Sequence, residues 1–350
     1  MAQNMDALVI GAGAAGWLCA GMLAQRGARV RLLADTQAAP PASAAAAGML
    51  APWSEALLAP DHGHARALEL GVEGLGLWEE LAPGLKLGFR RAGTLLHLDG
   101  ARRDAALAAA LAAGANASLQ TGALLLADEA LLEPRMALRA LRDWGRASGV
   151  EYADGKGVAE ILSEPGCIVG ARLEDRSLVC AQAIVLAPGA WANAALRRAV
   201  PQLEGLIPAR GCLIEFQTPQ EESGPMQRGE GVYLVPQPGG RLLAGASMEF
   251  GVSDPSPDPE QLAMLRDRAI ALRPDLQHAP WSGRAGVRAM SQDWSPLIGR
   301  TPIEGLFLAA GMGRNGWLLA PVTGRMVCAY VFGEALAPLH AAFSPDRFAP

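Results

Sequence analysis

Paired cysteines are missing from this sequence. Its five cysteines, Cys19, Cys167, Cys180, Cys212 and Cys328, are an odd number at scattered spacings, with no CxxC pair and no His/Cys metal spacing. That excludes a disulfide framework and a thiolate metal site, and predicts reduced, mostly buried thiols in a metal-free cytoplasmic protein. A basic surplus is missing too: 30 Lys and Arg stand against 35 Asp and Glu, a net charge of −5, so no surface invites nucleic acid. Lysine occurs only at Lys86 and Lys156, an arginine skew that reads as genome composition rather than function. A membrane span is also lacking, although residues 7–24 carry no charge and approach spanning length. Gly11, Gly13, Gly16 and Gly21 interrupt that run, Asp6 precedes it, and no basic segment leads into it. A buried strand, turn and helix account for the same apolarity, so the chain is expected to be soluble, with no membrane span.

What remains is apolar and ordered. At 350 residues and 51% hydrophobic, the chain can bury a large core, and its length predicts two intimately packed domains. Residues 6–10 form a short apolar run suited to a parallel strand covered on both faces. Gly11-Ala12-Gly13-Ala14-Ala15-Gly16 follows, then a helix to about residue 27 and a second strand over 28–33. In that βαβ setting the glycines have separate tasks: Gly11 for a tight turn, Gly13 for backbone approach to a pyrophosphate, Gly16 for close helix–strand packing. The helix N-terminus offers its N–H groups to the phosphates. Asp35, at the end of the second strand, is the candidate for the ribose hydroxyls.

Further along, residues 43–50 could by composition be an ordinary helical turn. Ala-rich helices are expected near 64–82 and 101–114 with a strand over 89–98 between them, and a helix over 134–148 opens on Pro134. Short strands occupy 156–180, and the apolar run 183–187 ends in a turn at Pro188-Gly189. Residues 206–217, 231–236 and 241–248 read as an antiparallel set, turned by Gln237-Pro238-Gly239-Gly240. A helix over 258–272 and strands near 281–289 and 306–309 precede Gly311-Met312-Gly313-Arg314-Asn315-Gly316 and a closing helix to about residue 333.

In order, the Gly11–Gly16 turn, Ser43–Leu50, Ala187–Trp191, the Tyr233–Met248 hairpin, Ala285-Gly286-Val287-Arg288 and Arg314–Gly324 resemble the D-amino-acid oxidase superfamily. Within it the likeness is greatest to the glycine oxidases of bacterial thiamine biosynthesis, and it spans almost the whole chain. The resemblance implies an α/β fold with a discontinuous Rossmann-like FAD-binding domain (1–82, 134–200 and 285–350). A substrate domain with a large antiparallel sheet (83–133 and 201–284) completes it. It places the FAD pyrophosphate at Ala14 and Ala15, the ribose at Ala34 and Asp35, and further flavin contacts at Ala42, Ser43, Ala47, Gly48 and Met49. Val158 falls on the adenine side, and Gly311 together with Met312, Gly313, Arg314, Asn315, Gly316, Trp317 and Leu318 wraps the isoalloxazine ring. The related sarcosine oxidases attach their flavin through a cysteine shortly before the final strand; no cysteine lies between Cys212 and Cys328, so the resemblance implies a noncovalent FAD.

For the substrate, an arginine fork matches the two oxygens of a carboxylate. Arg288 takes that role, Tyr233 adds a hydroxyl, the Arg314 carbonyl holds the amine, and Met248 lines the wall. The implied reaction moves a hydride from the α-carbon of glycine or another small amino acid to the flavin. The imino acid hydrolyses to a keto acid and ammonia, and O2 reoxidises the flavin to give H2O2. The alternative is an FAD-dependent dehydrogenase of sarcosine or D-amino acids that passes electrons to a quinone or protein acceptor; a homo-oligomer is compatible with either. The chain departs from the family pattern at Ala34-Asp35, one position late for the acidic residue, at Gly231, where histidine occurs, at Ala289, where proline is usual, and at Trp317, where the residue is smaller. Gly231 implies a wider mouth and Trp317 a bulkier wall.

Overall fold

Apolar on both faces from Ala7 to Ile10, the strand Gln3–Ile10 lies inside its sheet and pairs in parallel with Val30–Leu33 on one side and Leu178–Leu186 on the other. The computed structural model describes residues 3–58, 64–221 and 223–348. Glu151–Ala153 extends the parallel set beyond Val30–Leu33, and Leu306–Ala310 adds to Leu178–Leu186. Cys167–Leu173 and Val158–Glu164 continue the sheet antiparallel at one edge, and Leu297–Arg300 pairs antiparallel with Leu306–Ala310. The helices Ala14–Gln25 and Gly316–Val331 pack closely: a Cβ on Gly324 would lie 2.8 Å from Met22 Sδ and 3.2 Å from the Leu18 carbonyl carbon. Gly21 in turn admits the Trp144 ring and Gly145 the Trp17 ring, so two glycines missing a side chain each receive an indole. This compact unit comprises Met1–Ala44, Leu138–Pro208 and Arg288–Pro350.

A second compact unit comprises Ala45–Ala137 and Ala209–Val287. It differs from the expected division chiefly in taking residues 45–82, whose helices Pro52–Leu58 and His64–Leu81 belong to it. Its large mixed sheet runs Glu249–Phe250, Ile207–Gln217, Arg241–Gly245, Val232–Gln237, Met226–Gly229, Thr94–Leu96, Ala123–Leu126, Ala117–Gln120, with Trp281–Met290 also paired to Ile207–Gln217. Composition concealed the hairpin 117–126. Its turn residues Thr121 and Gly122 both have positive φ (47° and 83°), the two-residue geometry that matches strand twist, but only the glycine advertises it. Among the described residues no helix is long and apolar enough to cross a membrane, and no cluster of His, Cys, Asp or Glu could hold a metal ion. All five cysteines are free; Cys19, Cys212 and Cys328 are buried, whereas Cys167 is exposed.

One buried charge in the second unit has a consequence for stability. The Glu129 side chain is fully buried, with Oε1 accepting from the Ser54 N–H at 2.6 Å, while Arg228 donates to Ser54 Oγ at 3.0 Å and pairs with Glu55 at 2.9 Å. Burial pushes the Glu129 carboxyl up to about 7 against the pull of Thr94, Ser54 and Arg228. A raised carboxylate pKa means the native state holds more protons than the unfolded chain between the ordinary carboxylate range and pH 7, so stability falls as pH rises through that window. Glu129→Gln is therefore expected to leave the melting temperature at pH 5 nearly unchanged and to raise it at pH 8, where the buried carboxylate costs on the order of 3 kcal/mol at most. Equal melting shifts at both pH values would assign the carboxylate no such role.

Candidate active site

In the first unit the parallel strands end level with one another. Ile10 stands opposite both Leu33 and Leu186, Leu33 opposite Ala153, and Leu186 opposite Leu308. The turns that begin at Gly11, Ala34, Ala187 and Gly311 therefore emerge along one carboxyl edge, where ligands of open α/β sheets bind.

At that edge the three motif glycines have different reasons to be glycine. Gly11, at φ 116°, would place a Cβ 2.1 Å from the Ala187 carbonyl oxygen, and a Cβ on Gly16 would lie 1.9 Å from the Gly11 carbonyl oxygen. Both are required by the protein's own packing. Gly13 is not: its φ of −74° and ψ of −179° suit any residue, and a Cβ there would meet only Ser43 Oγ, at 3.5 Å. Nothing in the protein demands glycine at position 13, whereas a pyrophosphate lying against the backbone does. These residues therefore fit a dinucleotide.

Ser43 ties this turn to the later block. Its Oγ accepts from the Ala14 N–H at 3.1 Å and its carbonyl accepts from Trp317 Nε1 at 3.1 Å, while Trp191 Nε1 donates to the Pro40 carbonyl at 3.0 Å. Trp317 is thus buried and pinned, and Ala42 precedes Ser43 in the short helix Ala42–Ala45. The Ala34 amide and carbonyl are both used, by Ala153 and Lys156. Asp35 Oδ1 accepts from the Ala38 N–H at 3.0 Å, which shapes the turn after the strand. Val158 is buried, its carbonyl accepting from Asn193 Nδ2 at 2.8 Å.

The late block is held by an antiparallel bridge between Met290 and Met312. Arg288 precedes that bridge by two residues and Arg314 follows it by two, so antiparallel pairing brings the two arginines to the same end of it. Gly311 and Gly313 have φ of 69° and 53°, and a Cβ on Gly313 would lie 2.9 Å from Met290 Sδ. Gly313–Asn315 makes one tight turn before the helix Gly316–Val331 begins, with Leu318 already in the core.

In the second unit, Tyr233 stands opposite Gly245, and a Cβ at 245 would come within 2.6 Å of the phenol oxygen; the missing side chain lets the ring lie across the strand. Ser247 Oγ accepts from the Cys212 N–H at 3.0 Å and anchors the segment that presents half-buried Met248. Gly231 opens no wider mouth: Arg268 Nη1 lies where its Cβ would go, 2.6 Å away, and donates to the Gly231 carbonyl at 3.2 Å. The segment ahead of Met49 is gripped from below. Arg284 donates to the Ala45 and Ala46 carbonyls at 3.2 and 3.4 Å while paired with Glu215 at 2.6 Å, and Gln237 Nε2 donates to the Ala47 carbonyl at 3.1 Å. Gly48, at φ 82°, would otherwise drive a Cβ to 2.2 Å from the Leu132 carbonyl oxygen. Sequence reasoning gave Arg284 no role and took Gln237 only as part of a hairpin turn, since neither residue's partners lie near it in sequence.

Residues 6–330 match the family described as FAD dependent oxidoreductase. A glycine oxidase of Geobacillus kaustophilus is 30% identical over 99% of this chain and 98% of its own length. The crystal structure of glycine oxidase from Geobacillus kaustophilus superposes with a TM-score of 0.89 at 26% identity, covering 99% of this chain and 100% of that one. The bifunctional protein ThiO/ThiG of Synechocystis is 33% identical over 63% of this chain. The chain spans 34%, 31% and 55% of the length of three such bifunctional proteins.

Proposed function

The chain belongs to the FAD-dependent oxidoreductase family, and from that premise we propose that it oxidises glycine or a similarly small amino acid. The observation that carries the cofactor is Gly13, a glycine that the protein's own packing does not require. The full-length likeness to glycine oxidase carries the substrate class. The reaction is glycine, O2 and water giving glyoxylate, ammonia and H2O2.

Bound FAD supplies the two-electron acceptor for the substrate's α-C–H bond. The chain's own residues bind and orient. Ala14, Ala15 and the helix they open face the pyrophosphate, and the Ala34–Asp35 turn and Val158 serve the ribose and adenine side. Ser43, Ala47, Gly48, Met49 and the Gly311–Leu318 block serve the flavin end. Arg288 grips the substrate carboxylate through its planar fork, with Tyr233 adding a hydroxyl. The Arg314 carbonyl accepts from the amine N–H and so orients the nitrogen, and the substrate's ammonium gives its extra proton to solvent as it binds. Met248 walls the site and does no chemistry. No side-chain base is required in this scheme.

The same reading includes noncovalent FAD, O2 as the acceptor, a cytoplasmic location and a place in thiamine biosynthesis. The oxidase names of the full-length relatives favour O2 over a quinone. Aerobic turnover of glycine should release glyoxylate, ammonia and peroxide in equal amounts. Glyoxylate formed only with an added quinone would replace the oxidase by a dehydrogenase.

A further inference from the structure

Trp294 holds a backbone conformation that its side chain disfavours. It lies in the left-handed region, at φ 61°, within the connection between Trp281–Met290 and Leu297–Arg300. For a bulky residue this is an outlier that persists only when its surroundings enforce it. Those surroundings are dense. Ser291 Oγ donates to the Ser295 carbonyl at 2.6 Å, the Ser295 N–H donates to Asp293 Oδ1 at 3.1 Å, and the Trp294 N–H donates to the Ser291 carbonyl at 3.2 Å. Arg347 closes the loop from outside, pairing with Asp293 at 2.7 Å and donating to the Ser295 carbonyl at 2.7 Å.

The ring of the strained residue stands against Arg314. The guanidinium carbon of Arg314 stands 5.8 Å from the Trp294 ring centroid, within the range of a cation–π contact. Arg314 lies on a tight turn, Gly313–Asn315, that follows Gly311 at φ 69° and leads into the final helix. The Met290–Met312 bridge and the Asn315 N–H to Met312 carbonyl bond fix the start of that turn, and the indole adds a contact at Arg314 itself. We infer that Trp294 is a positioning residue for the amino-acid site: its indole holds Arg314, and the strained backbone at 294 is retained because it aims the ring there. This rests on the reading of Arg314 as a substrate-side residue, and it assigns Trp294 no contact with substrate.

The test compares Trp294→Gly, Trp294→Ala and Trp294→Phe in the FAD-loaded protein. Both small variants lose the ring, but only alanine keeps a Cβ in the left-handed region, so glycine should melt higher than alanine, the reverse of their ordinary order. KM for glycine should rise about three- to thirtyfold in both, with kcat and flavin content nearly unchanged, and phenylalanine should restore most of it. A packing residue without this role would lower the melting temperature and leave KM alone, which would overturn the inference, as would alanine melting above glycine. If no amino acid reduces the wild-type flavin, the proposed function fails, and the pairing is read from stability instead. Arg314→Ala should then lower the melting temperature in the parent but not in the Trp294→Ala background; equal lowering in both would contradict the pairing.

Discussion

Gly13→Val is expected to yield a folded protein that purifies almost free of FAD, with flavin content below roughly a tenth of wild type. A Cβ at 13 meets nothing closer than Ser43 Oγ at 3.5 Å and the φ there suits any residue, so the backbone accepts a side chain where a pyrophosphate does not. The melting temperature of the variant should match that of wild-type apoprotein and no longer rise with added FAD, because a ligand that no longer binds no longer stabilises. Gly16→Ala gives the contrast. Its Cβ is forced to 1.9 Å from the Gly11 carbonyl oxygen, so helix and strand must separate, and the protein should fail to fold rather than merely lose its cofactor. Flavin content by absorbance, beside circular dichroism, separates the two outcomes. A fully yellow Gly13→Val protein would remove the pyrophosphate from this turn.

Arg288→Ala should raise KM for glycine by about a hundredfold or more while flavin content and spectrum stay as they were. Truncating one partner of a charge-assisted pair costs about 2–5 kcal/mol, and 1.4 kcal/mol is a factor of ten. Arg288→Lys should recover only part of the loss, since an ammonium is a point charge without the two-pronged geometry of the guanidinium. Arg288 lies within the strand Trp281–Met290, a backbone setting that alanine and lysine can both adopt. Steady-state kinetics with glycine check this, and an unchanged KM in the alanine variant would take Arg288 out of the site.

The parts of the molecule that could be read in advance are those in which one residue type has one physical reason to be present. The Gly11–Gly16 turn was legible because strand, glycines and helix follow one another without interruption. The antiparallel Val232–Gln237 and Arg241–Gly245 pair was legible from Gln237-Pro238-Gly239-Gly240 between two apolar runs. What sequence could not carry was the sign of a dihedral at a residue that does not advertise it, as at Thr121 and Trp294. Nor could it carry long-range pairing of polar side chains. The Ser43 hydroxyl reaches Ala14 across 29 positions and Arg284 reaches Ala45 across 239. Residues 45–82 show the same limit at larger scale, since helices of such composition can pack on either unit and only tertiary contact decides. Gly231 is the instructive case for a local inference: an absent side chain implied space, and Arg268, from a helix 37 positions on, fills it.

The most direct measurement of the central claim is the visible spectrum of the purified, FAD-loaded protein under strict exclusion of air, recorded before and after glycine is added, with sarcosine and D-alanine as companions. The oxidised flavin band should bleach with glycine and return on admission of air with release of peroxide. A band that none of the three amines bleaches would contradict amino-acid oxidation by this chain, and the absence of any flavin band after reconstitution would contradict the cofactor itself.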